Sequence, residues 1–468
     1  MPQLDVWVLI ATLAGFALYA AACALVYRYA DAHAGDTADR RALPIMFAAA
    51  AVICILFSCL IENHNDLNTY NSWGQWILQN GVNGFYDTNE MAMPPLFLFL
   101  SAGLSGISNV THIPYRIVYR LVFSAQFLLS AYVLYRTARK HMQEVPALCV
   151  TGLYLFCPAL VGNCSIWGQT DAFTCMFTVL IVCCVIERKW LLSFVWLFLG
   201  ISFKAQILFV IPCLAVWVIY KMVAEKHWLR LIIYAAGFAA AVWLSYLPFA
   251  FTHVAEGDVL YFIDVFLGLA NNKSWFSSFA LNFWSAIGLN LVEASSLWRY
   301  ISYGAVIVLT AGLCVMLFRS KYEHKLFLAA VLQVMIVFNF CIAMLERYLM
   351  AVIPLMLLLG MLVKDKKFRL YGALITSSHL LGMVVAAKYY RLILNSSSFF
   401  ADGVVFLFAL AIFVVQILYV AKAISVLFPG FRPQDKLVRF LKRGKKKEQA
   451  AEAPCDDKTS DDLCEDRQ

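Results

Sequence analysis

Long apolar runs separated by short polar stretches fill most of the chain. Thirteen runs lie near 5–27, 44–62, 117–135, 147–163, 171–186, 190–203, 207–221, 230–250, 299–318, 326–343, 348–363, 370–387 and 403–428. A helix needs roughly 17–25 residues to cross about 30 Å of hydrocarbon. The pattern therefore predicts an all-α polytopic membrane protein with about 13 transmembrane helices. The sixth and seventh runs are short, and read either as separate spans or as a broken pair meeting at Lys204. The first is too long and too weakly basic at its start for a cleaved signal peptide, so it counts as an additional span. One further stretch, Pro95 to about Gly106, contains Gly and Ser and reads as a helix lying on or dipping into one membrane surface. An ordinary extra span is its alternative.

Charge orients these runs. Of the 37 Lys and Arg, 29 fall in alternate connections and in the chain from Lys422 onward, whereas the segment from Ile61 to Pro114 has none. Basic connections stay in the cytoplasm, so the N-terminus is expected outside and the C-terminus inside. A full span at 95–106 would force Arg136 and Lys140 to the outside, which is why that stretch reads as a surface helix. Three regions follow. Residues 1–43 hold the additional span and a cytoplasmic loop, and 44–428 hold a membrane core with outer loops at 63–116 and 251–298. Residues 429–468 form a tail that is basic over Lys436–Lys447, suited to an anionic inner leaflet, then acidic and expected to be disordered.

Composition closes off other classes. Apolar residues make up 62% of the chain and charged residues 14%, against about 25% charged in soluble domains. The bilayer is therefore a partner, and the net charge of +8 does not argue for nucleic acid. Eleven of the 14 cysteines lie in apolar runs, where they act as small hydrophobes; Cys164 falls in an expected loop, and Cys455 and Cys464 in the tail. With no CxxC pair, His-rich cluster or HExxH, neither a zinc site nor a disulfide framework is expected. No cofactor is implied with certainty, although carboxylates leave room for a divalent metal ion.

Candidate chemistry gathers on the outer side. Asp66 lies just past the second span in a loop without basic residues, so it has no local ion-pair role and is free to act as a base or metal ligand. Tyr70 and Trp73 follow at helical spacing, and equally suit the interfacial aromatic belt. Trp167-Gly-Gln169-Thr-Asp171 precedes the fifth run, with Asp171 at a helix N-terminus that suits a carboxylate or a plain cap. Lys204 and Gln206 sit at the outer end of a short run, where an intramembrane Lys is functional or snorkels to the interface. Glu346-Arg347-Tyr348 separates two apolar runs and reads as a binding group or a packing ion pair. Asn282 and Trp284, in an Asn- and Trp-rich loop, suit a sugar or an interface. A carboxylate with cations beside the membrane fits attack by a hydroxyl on a phosphate-linked carbon: the carboxylate removes a proton and the cations stabilise the departing phosphate.

Together Asp66, Tyr70, Trp73, Phe85-Tyr86, Pro94-Pro95, Trp167–Asp171, Phe203-Lys-Ala-Gln206, Asn282-Phe-Trp284 and Glu346-Arg-Tyr348 resemble the GT-C superfamily of integral membrane glycosyltransferases. Within it the chain is most similar to bacterial mannosyltransferase-like proteins related to GPI-anchor mannosyltransferase II. The resemblance implies a helical fold whose first large outer loop carries the catalytic acidic residue, here Asp66, which would be the base. It implies a polyprenyl-phosphate-linked hexose donor, mannose favoured, a glycan or glycolipid acceptor, and inversion at the anomeric carbon. Lys204, Gln206 and Arg347 would bind the donor phosphate. Tyr70, Trp73, Trp167, Gln169, Asp171, Asn282, Trp284, Glu346 and Tyr348 would line the sugar or acceptor. Leu345 and Ala205 depart from the family's usual His and Pro.

Two rivals remain. A transporter or lipid flippase would have a cavity reaching both faces and commonly internal pseudo-symmetry, whereas here the polar residues gather on one side. A surface-polysaccharide polymerase or ligase would favour Arg- and His-rich outer loops, in which these loops are poor. In a bacterium the expected location is the plasma membrane, with the site on the outer face.

Overall fold

The computed structural model of the protein describes residues 6–60, 65–89, 93–271, 274–396 and 399–429. The tail from 430, Glu62 and the Asn272-Lys273 pair lie outside the described residues. The chain is nearly all-α. Among the described residues, eight helices are long and apolar enough to cross a membrane: Trp7–Ala32, Ala42–Leu60, Tyr115–His141, Ala205–Ala224, Trp228–Tyr246, Ser296–Arg319, Lys366–Ala387 and Gly403–Leu427. A ninth arises if Glu144–Leu155 and Pro158–Trp167, bent by 47°, count as one span. Pro158 lacks the amide donor that would continue the first helix and sits in the first turn of the second, a position proline favours.

The other four apolar runs form shorter helices: Asp171–Ile186, Trp190–Phe203, Lys325–Phe340 and Tyr348–Val363. A helix of 16 residues such as Asp171–Ile186 is about 24 Å long at 1.5 Å per residue. Helix length thus supports eight or nine crossings, and the expected 13 is not reached on length alone. Three of the four shorter helices lie inside, whereas Trp190–Phe203 exposes Leu191, Leu192 and Val195. Lys325–Phe340 and Ile353–Val363 are buried almost throughout, whereas Trp228–Tyr246 buries none of its apolar window. Apolar side chains facing outward are stable here because the surrounding solvent is lipid.

The additional N-terminal helix Val6–Ala32 packs along Lys366–Ser396. At its end the Arg369 guanidinium grips both oxygens of Asp31, with Nη2 2.9 Å from Oδ1. Tyr27 crosses Gly360 so closely that a Cβ there would fall 2.3 Å from the phenol oxygen.

Two features position the candidate site. The Asn65–Asn80 helix, which carries Asp66, lies against Pro95–Thr111. At Gly74 a Cβ would lie 2.6 Å from the Ser101 carbonyl oxygen, so a side chain there would push the two helices apart. Ser101 Oγ donates to the Tyr70 carbonyl at 2.6 Å and locks the pair. The second feature is a pair of two-residue strands. Ser277–Ser278 runs parallel to Met344–Leu345, tying the loop before Asn282 to the residues just ahead of Glu346.

Candidate functional site at the Asp66 end of the spans

Three breaks in helical structure present the polar groups. The first follows Pro158, where a π-helical turn over Gly162–Trp167 ends at Gly168 in the left-handed region (φ 76°). Gly168 is required twice over: its φ disfavours other residues, and a Cβ would sit 2.6 Å from the Leu67 side chain. This turn swings Trp167 and Gln169 toward Asp66. The second break is at Lys204, where the chain is extended (φ −157°, ψ 116°) between the Trp190–Phe203 helix and the 3-10 turn Ala205–Val210. The two short runs therefore meet in a break at Lys204. The third lies between Lys325–Phe340 and Ile353–Val363, and turns Glu346 and Arg347 toward the other polar groups.

Asp66 stands in the first turn of its helix and is partly buried. Its Oδ2 accepts from Trp167 Nε1 at 2.8 Å and from Gln169 Nε2. Gln169 in turn accepts through Oε1 from the Tyr70 hydroxyl at 3.1 Å. Burial, and then the neighbouring Asp66 charge, push the Tyr70 phenol well above its ordinary range, so it remains a donor. Asp66 Oδ1 receives no hydrogen bond among the described residues.

Beside this group lies a buried ion-pair network. Lys204 Nζ donates to Asp171 Oδ1 at 2.5 Å, with both side chains 4% exposed or less. Asp171 Oδ2 accepts from Asn163 Nδ2 at 2.8 Å and lies 3.8 Å from Arg347 Nε. Arg347 donates through Nη1 to Glu346 Oε1 at 2.6 Å, and its guanidinium stands 5.7 Å from the centre of the Trp167 ring. Asp171 is thus not a plain helix cap: Thr170 holds the cap position, and the Asp171 carboxylate turns inward. Three carboxylates face two cations, so the group carries a net negative charge.

Of the sequence candidates, the structure brings together Asp66, Tyr70, Trp167, Gln169, Asp171, Lys204, Glu346 and Arg347. Gln206 and Tyr348 flank them, with Tyr348 packed edge-on to Phe209. Gln206 Oε1 and Arg347 Nε are buried without a hydrogen-bond partner. Trp73 packs into the apolar core beside Tyr70. Asn282 and Trp284 bind backbone instead: Asn282 Nδ2 donates to the Phe338 carbonyl at 2.8 Å and Trp284 Nε1 to the Cys341 carbonyl at 3.1 Å.

Two members were not anticipated. Asn163 orients Asp171. His379, buried in the Lys366–Ser396 helix, turns Nδ1 toward the Glu346 carbonyl at 3.4 Å and leaves Nε2 without a partner. An ionisable residue within an apolar run was the signal for His379. Among the described residues, no three His, Cys, Asp or Glu side chains gather as a metal site.

Fold and polar cluster together define a multi-pass integral membrane protein with charged groups buried at one end of its spans. Residues 56–284, just under half of the chain, match the model of the family described as PIG-U, GPI transamidase subunit PIG-U. That is a membrane protein family and not a mannosyltransferase family, so the narrower kinship expected from the motifs is not the one found. The match takes in Asp66, Asp171 and Lys204 but stops before Arg347. Comparison with curated proteins gives no match.

Proposed function

We propose that this cluster is the catalytic centre of an integral membrane glycosyltransferase, which moves a hexose, mannose favoured, from a polyprenyl-phosphate-linked donor to a hydroxyl of a glycan or glycolipid. The observation that carries the reading is the Asp66 carboxylate. Two donors fix Oδ2 and leave Oδ1 open, as a general base in hydrogen-bond reach of a substrate requires. Asp66 takes the acceptor proton, the acceptor oxygen bonds to the anomeric carbon from the opposite face, and the carbon–oxygen bond to phosphate breaks with its electron pair leaving on phosphate. The configuration inverts. Arg347, with its Nε free of a hydrogen-bond partner, Lys204 and Gln206 then meet the charge that grows on the phosphate. The site faces outward, in line with the distribution of Lys and Arg.

A second reading has its own support. The family matched over 56–284 is named for a transamidase subunit, which favours recognition of a glycolipid without transfer. On that reading Asp66, Gln169 and Asp171 hold hydroxyls of the glycan. Membranes containing the protein, supplied with radiolabelled polyprenyl-phosphate mannose or glucose, separate the two. The enzyme reading expects labelled product from wild type and a loss of about 10²–10⁴-fold in Asp66→Asn at unchanged protein level. No product from wild type with either donor, or a variant keeping more than half the rate, removes it.

A further inference from the structure

A cavity of about 560 Å³ lies far from the cluster, at the opposite end of the spans. Its position follows from chain direction: Ala42–Leu60 begins at the mouth of the cavity and ends just before Asp66. The walls are the helices Val6–Ala32, Ala42–Leu60 and Glu144–Leu155. Val26, Met46, Leu148, Gly152 and Phe156 line an apolar interior. Tyr19 closes the deep end, its hydroxyl donating to the Leu153 carbonyl at 2.7 Å. From Tyr19 to His33 the crevice follows about 21 Å of helix, two-thirds of the hydrocarbon thickness. Two of the three walls lie wholly or mostly outside the segment matched by the family above.

The mouth is polar. His33, stacked on Tyr29 with ring centres 4.1 Å apart, lies there with Asp36, Thr37 and Asp39. Both aspartates are exposed and meet no cationic side chain among the described residues; the Asp39 carboxylate accepts from the Arg41 backbone amide at 2.8 Å. Arg40 and Arg41 follow directly and are exposed. Carboxylates at the mouth and guanidinium groups beside it match a headgroup with a terminal ammonium and an inner phosphate. An apolar crevice of this length between membrane helices matches a hydrocarbon chain.

We propose that this crevice binds one phospholipid of the leaflet opposite Asp66, with an acyl chain between the three helices and a primary-amine headgroup at Asp36 and Asp39. The test uses the full chain in nanodiscs holding equal phosphatidylethanolamine and phosphatidylglycerol with matched chains. Lipids retained on release from the discs are counted by native mass spectrometry. Wild type is expected to keep the ethanolamine lipid about fivefold over the glycerol lipid, the scale of two exposed charge pairs. The Asp36→Asn, Asp39→Asn double variant, altered only on exposed side chains, should keep both lipids equally. A phosphatidylethanolamine with a diazirine in its acyl chain should label 19–33 and 145–156 above the lipid-exposed helix Trp228–Tyr246. Equal retention of both lipids by wild type, or labelling no stronger in the crevice than on Trp228–Tyr246, would mean annular lipid only and overturn the proposal.

Discussion

Removing Asp171 alone from the Asp171–Lys204 pair should cost more than removing both partners. Both side chains are almost wholly buried and meet at 2.5 Å. Breaking a buried pair from one side typically costs about 3–5 kcal/mol, because a charge is left without compensation. The two sides are not equivalent here. In Lys204→Met, Asp171 keeps the Asn163 amide at 2.8 Å and Arg347 Nε at 3.8 Å, which places the loss near the lower bound. In Asp171→Leu, Lys204 loses its carboxylate and Asn163 its acceptor, which places the loss near or above the upper bound. The double variant has no orphaned ammonium; what remains is an unmet Asn163 donor, worth about 1–3 kcal/mol, and the loss of the longer contact to Arg347 Nε. It should therefore be more stable than Asp171→Leu by about 2 kcal/mol. Equilibrium unfolding in mixed micelles of rising denaturing-detergent fraction gives the four free energies of the cycle. If the two single losses simply add in the double variant, the side chains are not coupled and the network described above is wrong.

Backbone geometry and orientation supply two more tests. Gly168→Ala should lower the unfolding free energy by more than about 1 kcal/mol, since it meets both a positive φ and the Leu67 side chain. Gly103→Ala, in the Pro95–Thr111 helix with nothing within 4 Å, should be neutral or stabilising by up to about 1 kcal/mol; equal effects at the two sites would refute the claim for Gly168. For orientation, single cysteines in a cysteine-less background should react with an impermeant thiol reagent at 66 and 273 from outside and stay protected at 320 and 440. Labelling at 320 in intact cells reverses the topology.

Apolar blocks along the chain located the helices well, because in lipid every backbone polar group must be satisfied within its own segment. They could not tell a full crossing from a short buried helix. Asp171–Ile186 and Trp228–Tyr246 are both apolar, yet one is enclosed by protein and the other faces lipid. The site was legible as a list of residues and not as a set of pairs. Lys204 has no acidic residue near it in sequence, which made it look like an unpaired cation; the fold supplies Asp171 from 33 positions away. Asn282 and Trp284 illustrate the opposite limit. Amide and indole donors suited to a sugar serve equally well on a loop's neighbouring carbonyls, and composition does not distinguish the two uses.

The short parallel pairing of Ser277–Ser278 with Met344–Leu345 has a consequence for the order of assembly. A chain is made from its N-terminus, and its earlier parts settle first. Asp66, Gln169, Asp171 and Lys204 can thus meet while Arg347 is still unsynthesised, and during that interval Lys204 and Asn163 alone hold the Asp171 carboxylate. The loop strand at 277–278 pairs first with Asn290 in its own loop and gains its second partner later. When Met344–Leu345 arrives, one event fastens the loop, sets Glu346 beside the incoming His379 helix and delivers the guanidinium of Arg347 to Trp167. The cluster is then completed late, by the same stretch of chain that closes the loop above it.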